Sequence, residues 1–413
     1  MDTKTKNRAV AWLTTAHFTG DIFSGFLNPI MPFIALKLSF SIAIATLILS
    51  IAQICGSLIQ PIFGFFADNI YKRTFIFIGI LLATTCTPIA VNVPNKTLLT
   101  IFIVLGCIGG SLFHPQALGF IPKFSDKNLM HNMSLFITAG TLGFAFGPIV
   151  SALTVQHLGF EKVPYLALIG VILTFSMFKF VPRLEETNQT RTKYQFKETF
   201  KEILTNKKML ILIAIGSMKT IIISSCTIFL PFLWRDMGKS PAYIGKLLFL
   251  FILAGSLASY LSTFAEKKFG ARPVFIASMT LTFPLMIIYT LIYKTHPTIA
   301  NSLFILMGFI TMFAQPVTMV MAQKVLPKYK SIAAGFINGF TWGIVSILLT
   351  TISFTIINIG IPKILLILSF LPVIFAYFVK FLPNKIEEVI DLTIEHSDGR
   401  EKVDSHHGGD YGI

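Results

Sequence analysis

Long apolar stretches dominate the chain and are separated by short polar connections. A helix that crosses a bilayer needs roughly 20 mostly apolar residues, and twelve stretches meet that length. They are rich in Leu, Ile and Phe and lack the strict alternation of membrane β-strands. The pattern therefore predicts an all-α integral membrane protein with twelve transmembrane helices. The predicted spans cover residues 9–35, 42–66, 74–92, 98–121, 132–155, 163–181, 209–232, 243–264, 274–293, 299–323, 332–356 and 363–382.

Basic residues between the spans predict the orientation. Most lysines and arginines fall in alternate connections, starting with the N-terminal segment, and cytoplasmic loops carry such an excess. Both termini are therefore predicted to be cytoplasmic. The longest polar interruption divides the spans six and six. It predicts an N-terminal half (1–182), a cytoplasmic linker (183–208), a C-terminal half (209–382) and a polar cytoplasmic tail (383–413). Apolar residues recur at helical spacing over 196–204, which is typical of an interfacial helix or of a solvated linker helix.

Composition and charge exclude two broad classes of protein. Of 413 residues, 54% are hydrophobic and 13% are charged, which excludes an ordinary soluble enzyme. The formal net charge of +15 would suggest a nucleic-acid partner in a soluble chain. Here the basic residues set membrane topology instead, so no nucleic-acid partner is expected. The four cysteines lie in apolar stretches without CxxC spacing, so neither a disulfide framework nor a metal site is predicted.

The two halves of the chain show weak self-similarity. Segment 65–68 after the second span is echoed by segment 263–266 after the eighth, and Pro115 has an equivalent in Pro316 at nearly the same offset. The repeat predicts two pseudo-symmetric six-helix bundles. Transporters built in this way place their substrate site near the bilayer midplane, between the halves.

The repeat also pairs Asp21 in the first span with Lys219 in the seventh. A charge at the bilayer centre costs about 2.5–3.5 kcal/mol on insertion scales, so such residues usually face a cavity or a partner. We expect the two to face each other across the pseudo-twofold axis, with Asp21 as the proton site and Lys219 as the ligand of an anionic substrate group. A static ion pair that joins the halves is the alternative. His17 lies four residues before Asp21 and is either a proton relay or a histidine satisfied by a backbone carbonyl.

Polar residues beside prolines are further candidate substrate contacts. The proline inside the fourth span removes a backbone donor and frees carbonyl oxygens, which only a cavity or a neighbouring polar group can satisfy. Its two polar neighbours, their equivalent in the second half and a polar pair in the eleventh span are predicted to line the substrate cavity. Ordinary packing is the alternative. With Lys219, the candidate substrate-binding residues are His114, Gln116, Gln315, Asn338 and Trp342.

Two motifs resemble signatures of the major facilitator superfamily. The segment GFFADNIYKR at 64–73 is similar to the loop signature that follows the second helix, although Asn69 and Tyr71 replace the usual arginine and glycine. The segment GFAFGP at 143–148 is similar to the fifth-helix signature of antiporters. Glycines at 140, 143 and 147 form one small-residue face, suited to close helix contact or to sliding of helices. The motif residues are Gly64, Asp68, Lys72 and Arg73 for the gating loop and Gly143, Gly147 and Pro148 for the antiporter motif.

Short segments resemble, more narrowly, the fosmidomycin resistance group of this superfamily. The resemblance implies a monomeric exporter of small toxic or drug-like compounds in the bacterial inner membrane, and Lys219 suits an anionic compound such as a phosphonate. The resemblance also implies proton antiport with no cofactor besides the proton gradient, and a latch role for Asp68 at a cytoplasmic gate. Gln116 departs from the glutamate that this group usually has after His-Pro, which bears on proton stoichiometry. The segments are residues 17–21, 58–61, 111–116, 133–136 and 322–327.

Other classes of function fit the residues less well. His17 and Asp21 match an HxxxD box of a membrane enzyme, but metal enzymes of that kind need several clustered histidines. The sequence has no GxxxxGK[ST] phosphate loop for ATP-driven pumping, and a sensor needs neither a repeat nor a charge pair at the midplane. The chain is therefore predicted to be a secondary active transporter and not an enzyme, with a small molecule, protons and the lipid bilayer as partners. Proton-coupled uptake of an organic anion or another metabolite is the alternative to efflux.

Overall fold

The computed structural model describes residues 1–58, 73–125, 128–183, 196–327, 333 and 335–385. These residues form helices joined by short connections, and no strand occurs among them. The first half contains α1 (Thr3–Ser24), α2 (Met31–Lys37), α3 (Ile42–Leu58), α4 (Arg73–Ala90), α5 (Lys96–Phe120), α6 (Leu129–Leu158) and α7 (Ala167–Phe180).

A short helix, α8 (Phe196–Thr205), lies in the predicted linker, as the helical spacing there indicates. A π-helical turn, Phe336–Phe340, precedes the helix of the eleventh span. The second half contains α9 (Lys207–Asp236), α10 (Pro241–Phe269), α11 (Ala271–Ile292), α12 (Pro297–Met312), α13 (Gln315–Val325), α14 (Thr341–Ile359), α15 (Ile361–Leu368) and α16 (Phe370–Ala376).

Ten helical segments of the described chain are long and apolar enough to cross a bilayer, and they coincide with the predicted third to twelfth spans. The apolar helix α3 covers the start of the predicted second span, and the rest of that span lies outside the described residues. Large apolar side chains such as Phe175 and Ile172 point away from the protein, as expected where the surrounding solvent is hydrocarbon. The predicted all-α, multi-pass architecture is confirmed.

The predicted first span is not one continuous helix. Helix α1 ends at Ser24 and α2 begins at Met31, so the span is interrupted across residues 25–30. Pro29 and Pro32 explain the interruption, because proline lacks a backbone N–H and disfavours helical geometry in the residue before it. Pro32 itself lies in the first turn of α2, where a missing N–H is tolerated.

Helices α1 and α6 approach each other along a glycine seam, formed by Gly140, Gly143 and Gly147 of α6. A Cβ atom on Gly143 would overlap the carbonyl oxygen of Phe18, and one on Gly147 would overlap that of Ile22. Small residues let helix backbones come this close in membrane proteins. The small-residue face expected in the fifth span therefore packs against the first span.

The two halves of the chain meet along two helix pairs, α3 with α14 and α6 with α10. Between α3 and α14, the hydroxyl of Ser50 donates a hydrogen bond of 2.8 Å to the carbonyl of Ser346. At the predicted outer ends, the guanidinium of Arg235 donates a bond of 2.7 Å to the carbonyl of Pro32. Both bonds join the first half to the second.

We expect Gly143→Ala to lower the thermal unfolding midpoint of the protein in detergent. The added methyl group would meet backbone atoms of Phe18, which cannot rotate aside as a side chain does, and overpacking of this kind costs about 1–3 kcal/mol. Gly335→Ala is the matched control, because Gly335 has helical backbone angles and no described atom lies within 4 Å of a Cβ placed there. Alanine should be neutral or slightly stabilising at that position. Equal unfolding midpoints for the two variants would contradict the close contact.

Candidate functional site

The carboxylate of Asp21 lies between two imidazole rings that come from different helices. His17 lies one turn earlier on α1, with its Nε2 3.3 Å from Asp21 Oδ2. His114 reaches across from α5, with its Nε2 3.4 Å from Asp21 Oδ1. The three side chains are partly buried. Each imidazole faces a different carboxylate oxygen, so the three groups form a chain, which we call the His-Asp-His chain.

The second ring nitrogen of His17 determines where a proton must lie. His17 Nδ1 is 2.8 Å from the carbonyl oxygen of Phe136, and because a carbonyl only accepts, Nδ1 carries the hydrogen. A neutral His17 then has its lone pair on Nε2, which faces the Asp21 carboxylate. Two acceptors at that distance repel each other, so a proton lies between His17 Nε2 and Asp21 Oδ2 when the two are in contact.

Neighbouring aromatic rings hold the His-Asp-His chain in place. The ring of His17 stacks on that of Phe136, with centroids 4.1 Å apart. The two histidine rings meet edge to face at 5.1 Å, and Phe113 contacts His114 at 5.7 Å. Fixed rings keep both imidazole nitrogens directed at the carboxylate, as a proton-transfer site requires.

The facing nitrogen and oxygen atoms of His17, Asp21 and His114 lie within 4.8 Å of one another. The imidazoles face different oxygens of the carboxylate, and the spacing of the three groups would also allow them to hold a metal ion. The arrangement suits uptake, holding and release of a proton, and imidazoles change charge in the physiological pH range.

Gly140 of α6 leaves the space that the His-Asp-His chain occupies. A Cβ atom on Gly140 would overlap the ring of His17 and lie 2.7 Å from Asp21 Oδ2. Near the other histidine the space is wider, since a Cβ atom on Gly110 of α5 would stay 3.7 Å from His114 Nε2. The glycine spacing predicts a packing face that includes Gly140, but it does not predict the contact of Gly140 with His17 and Asp21.

The structure brings together some of the predicted site residues and separates others. Asp21 and His17, the expected proton-coupling pair, are adjacent. His114, expected as a substrate contact, joins them. Phe136, which orients His17 through its backbone carbonyl, was not among the candidate residues, because any residue would offer the same carbonyl.

Lys219 does not meet Asp21, contrary to expectation. Lys219 lies near the middle of α9, is 4% exposed, and lines a small cavity with residues of α11 and α12. Neither the facing pair across the axis nor the static ion pair is found among the described residues. A repeat offset predicts the level of a residue in its helix but not its face, because one residue turns a helix by about 100°.

Among the described side chains, the other predicted substrate contacts do not join the His-Asp-His chain. Gln116 is 2% exposed, and its Oε1 has no hydrogen-bond partner among the described residues. It lies two positions after His114, and residues two apart do not share a helix face. Gln315 begins α13 and Trp342 lies in the first turn of α14. The side chain of Asn338 lies outside the described residues.

The gating motif is described in part. Arg73 begins α4, and its guanidinium donates a hydrogen bond to the carbonyl of Val181. The guanidinium also lies over the rings of Phe77 and Phe178, at 5.0 and 4.7 Å. Arg73 therefore joins the start of α4 to the end of α7. Three residues of the motif lie outside the described residues: Gly64, Asp68 and Lys72.

The antiporter motif lies where α6 contacts one helix of each half. Gly143 and Gly147 face α1, whereas the carbonyl of Pro148 faces Gly245 of α10. A Cβ atom on Gly245 would lie 2.6 Å from that carbonyl oxygen. The motif therefore connects the helix that carries Asp21 with the second half, and its role in antiport stays a prediction.

Comparison with known proteins places this chain among membrane transporters. The fosmidomycin resistance protein of Escherichia coli (strain K12) is 21% identical over 379 residues, which cover 90% of this chain and 92% of that protein. The crystal structure of the nucleoside transporter NupG has a TM-score of 0.73 at 14% identity and covers 90% of this chain and 98% of its own. The crystal structure of a D-xylose-proton symporter has a TM-score of 0.68 at 16% identity and covers 93% of this chain and 99% of its own.

These structural matches confirm the expected fold of two six-helix bundles. Residues 13–379 match the model of the Major Facilitator Superfamily, which is most of the chain. The protein therefore belongs to the Major Facilitator Superfamily, whose members are membrane transporters and not enzymes.

Proposed function

We propose that this protein exports a small molecule from the bacterial cytoplasm in exchange for protons, by alternating access of its two halves. The observation that carries the proposal is the His-Asp-His chain, where contact between His17 and Asp21 requires a proton between them. In this proposal the protein works as a monomer in the cytoplasmic membrane, with both termini inside. The positions of the basic residues support that orientation.

Proton release would change the contact between α1 and its neighbours. Without the shared proton, His17 Nε2 and Asp21 Oδ2 present two acceptors to each other, and their contact becomes unfavourable. At Gly143 and Gly147 the seam faces backbone atoms of the first span and not side chains, and we propose that α1 moves against α6 along these two glycines. Proton occupancy would thus bias the position of α1, and a ligand that binds one conformation better shifts the population toward it.

The relative from Escherichia coli supports export of a drug-like compound, because it is named the fosmidomycin resistance protein. The GFAFGP segment of α6 supports exchange rather than cotransport, through its resemblance to the antiporter signature. On these grounds we propose small phosphonates and other drug-like molecules as the substrate class. The anion-binding role predicted for Lys219 gains no support from its surroundings, where no hydrogen-bond donor to an anion is found among the cavity-lining hydroxyls.

Proton-coupled uptake is the second candidate function. The same fold occurs in a D-xylose-proton symporter. The His-Asp-His chain in the first half could couple protons to transport in either direction. The two candidates differ in the sign of the proton gradient that drives substrate accumulation.

Purified protein in liposomes with an imposed pH gradient tests both candidates. The substrate panel contains fosmidomycin as a phosphonate, benzoate as a carboxylate and ethidium as a lipophilic cation. Antiport predicts accumulation of a substrate inside vesicles whose lumen is acidic, because protons leave as substrate enters. Uptake by symport predicts accumulation when the outside is acidic. No gradient-dependent accumulation of any panel member would contradict proton coupling.

A further inference from the structure

Lys219 is a buried lysine that the proposed transport cycle does not use. Its side chain is 4% exposed near the middle of α9, and it makes no hydrogen bond or ion pair with any described residue. A buried charge without partners is strongly unfavourable. Acceptors for its N–H groups in the surroundings would therefore stabilise the charged form of the side chain.

A small cavity lies beside Lys219, in the interior of the second half. Its volume is about 10 Å³, which is the space that a single water molecule occupies by this measure. Its polar lining comes from three hydroxyl groups, those of Ser278 and Thr282 on α11 and Thr311 on α12. A single water molecule fits this cavity.

The hydrogen bonds of these hydroxyls determine which charge the cavity favours. Ser278 Oγ donates its hydrogen to the carbonyl of Ile310 at 2.7 Å. Thr282 Oγ1 donates to the carbonyl of Ser278 at 2.7 Å, so Thr311 Oγ1 donates across the 3.3 Å contact with Thr282 Oγ1. Each hydroxyl has one hydrogen, and all three are used within the protein.

The hydroxyl oxygens are therefore left with lone pairs and no free hydrogens. Lone pairs accept hydrogen bonds from an ammonium group or from a water molecule, whereas an anion needs donors. Lys219 offers three donors and no acceptor. The polar lining complements the lysine and opposes an anion.

We infer that the cavity beside Lys219 is a binding site for a primary ammonium group, which in this chain is the lysine's own Nζ, with one buried water completing its hydrogen bonds. The ammonium group of Lys219 is then bound by residues of the second half of the protein, and Lys219 is not the ligand of an anionic substrate. The inference does not depend on the proposed function, because it concerns binding within the second half and not proton coupling.

Lys219→Ala provides the test, because it removes three carbons and the nitrogen, the heavy atoms of n-propylammonium. The full-length variant is purified in detergent, and its thermal unfolding midpoint is measured with n-propylammonium chloride, 1-propanol or sodium propionate at matched ionic strength. We expect n-propylammonium alone to raise the midpoint, by about 1–2 °C at ten times its dissociation constant. Wild-type protein, whose site is filled, should show no such rise.

Lys219→Met is the matched control, because its side chain occupies the lysine stem and leaves no space for the amine. It should show no rise with n-propylammonium. Equal rises in both variants, a rise with propionate, or no rise in Lys219→Ala would each overturn the inference. If Lys219→Ala is recovered folded only when extracted in n-propylammonium, the inference is supported. If it is recovered in neither condition while Lys219→Met folds, the inference is wrong.

Discussion

Proton-driven transport is expected to fall to the level of protein-free vesicles when Asp21 is replaced by asparagine. The amide keeps the size of the side chain but neither binds nor releases a proton near neutral pH. It also offers His17 Nε2 a permanent N–H donor, so the contact no longer depends on a shared proton. Transport into liposomes under an imposed pH gradient measures the loss.

Glu161→Gln is the matched control for Asp21→Asn, because it also converts an acid to its amide, but at an exposed position between α6 and α7. This control should transport at the wild-type rate. Exchange of labelled for unlabelled substrate without a pH gradient should persist in Asp21→Asn, because that exchange needs no net proton movement. Unchanged gradient-driven transport by Asp21→Asn would show that the proton site lies elsewhere.

Gly140→Ala is expected to abolish gradient-driven transport as well, while leaving the protein folded. The added methyl group would overlap the ring of His17 and crowd Asp21 Oδ2. Both groups are side chains that can rotate aside. The substitution therefore displaces His17 and Asp21 from the His-Asp-His geometry, and it leaves the helix backbones in place. Displacement by about 1 Å is enough to lose a large part of the activity of a proton-transfer site.

Gly110→Ala adds the same methyl group one turn before His114 on α5, where it would lie 3.7 Å from His114 Nε2. That is an ordinary contact distance, so this variant should keep its transport rate. Size-exclusion profiles and unfolding midpoints verify that both variants are folded. Equal transport by the two alanine variants would contradict the role of Gly140 as the residue that makes room for His17.

Hydropathy predicts most of the helices, because a helix that is buried on one face and lipid-exposed on the other is apolar on both. The interruption across residues 25–30 escapes such a scan, since those residues remain mostly apolar. Pro29 and Pro32 were the signal for the interruption, because proline rarely continues a helix. Averaging hydropathy over about 20 residues hides a break in the helix that only two prolines cause.

The candidate site is predictable only where it depends on local spacing. His17 and Asp21 are adjacent because residues four apart share a helix face. The arrival of His114 depends on how α1 and α5 cross, which packing decides and no local pattern encodes. For Lys219, the repeat predicts the depth in the membrane but not the side of the helix, so the lysine faces into its own half.

The glycine seam constrains the residues allowed on both sides of the contact between α6 and the first span. On α6, positions 143 and 147 must lack a Cβ atom, because any side chain would strike α1. On α1, the opposing atoms are the carbonyl oxygens of Phe18 and Ile22, which every amino acid possesses. At Gly25, which follows α1, a Cβ atom would lie 2.4 Å from the carbonyl oxygen of Phe144 on α6. Related chains should therefore keep glycine at 25 as well as at 143 and 147, and vary the side chains at 18 and 22 more freely.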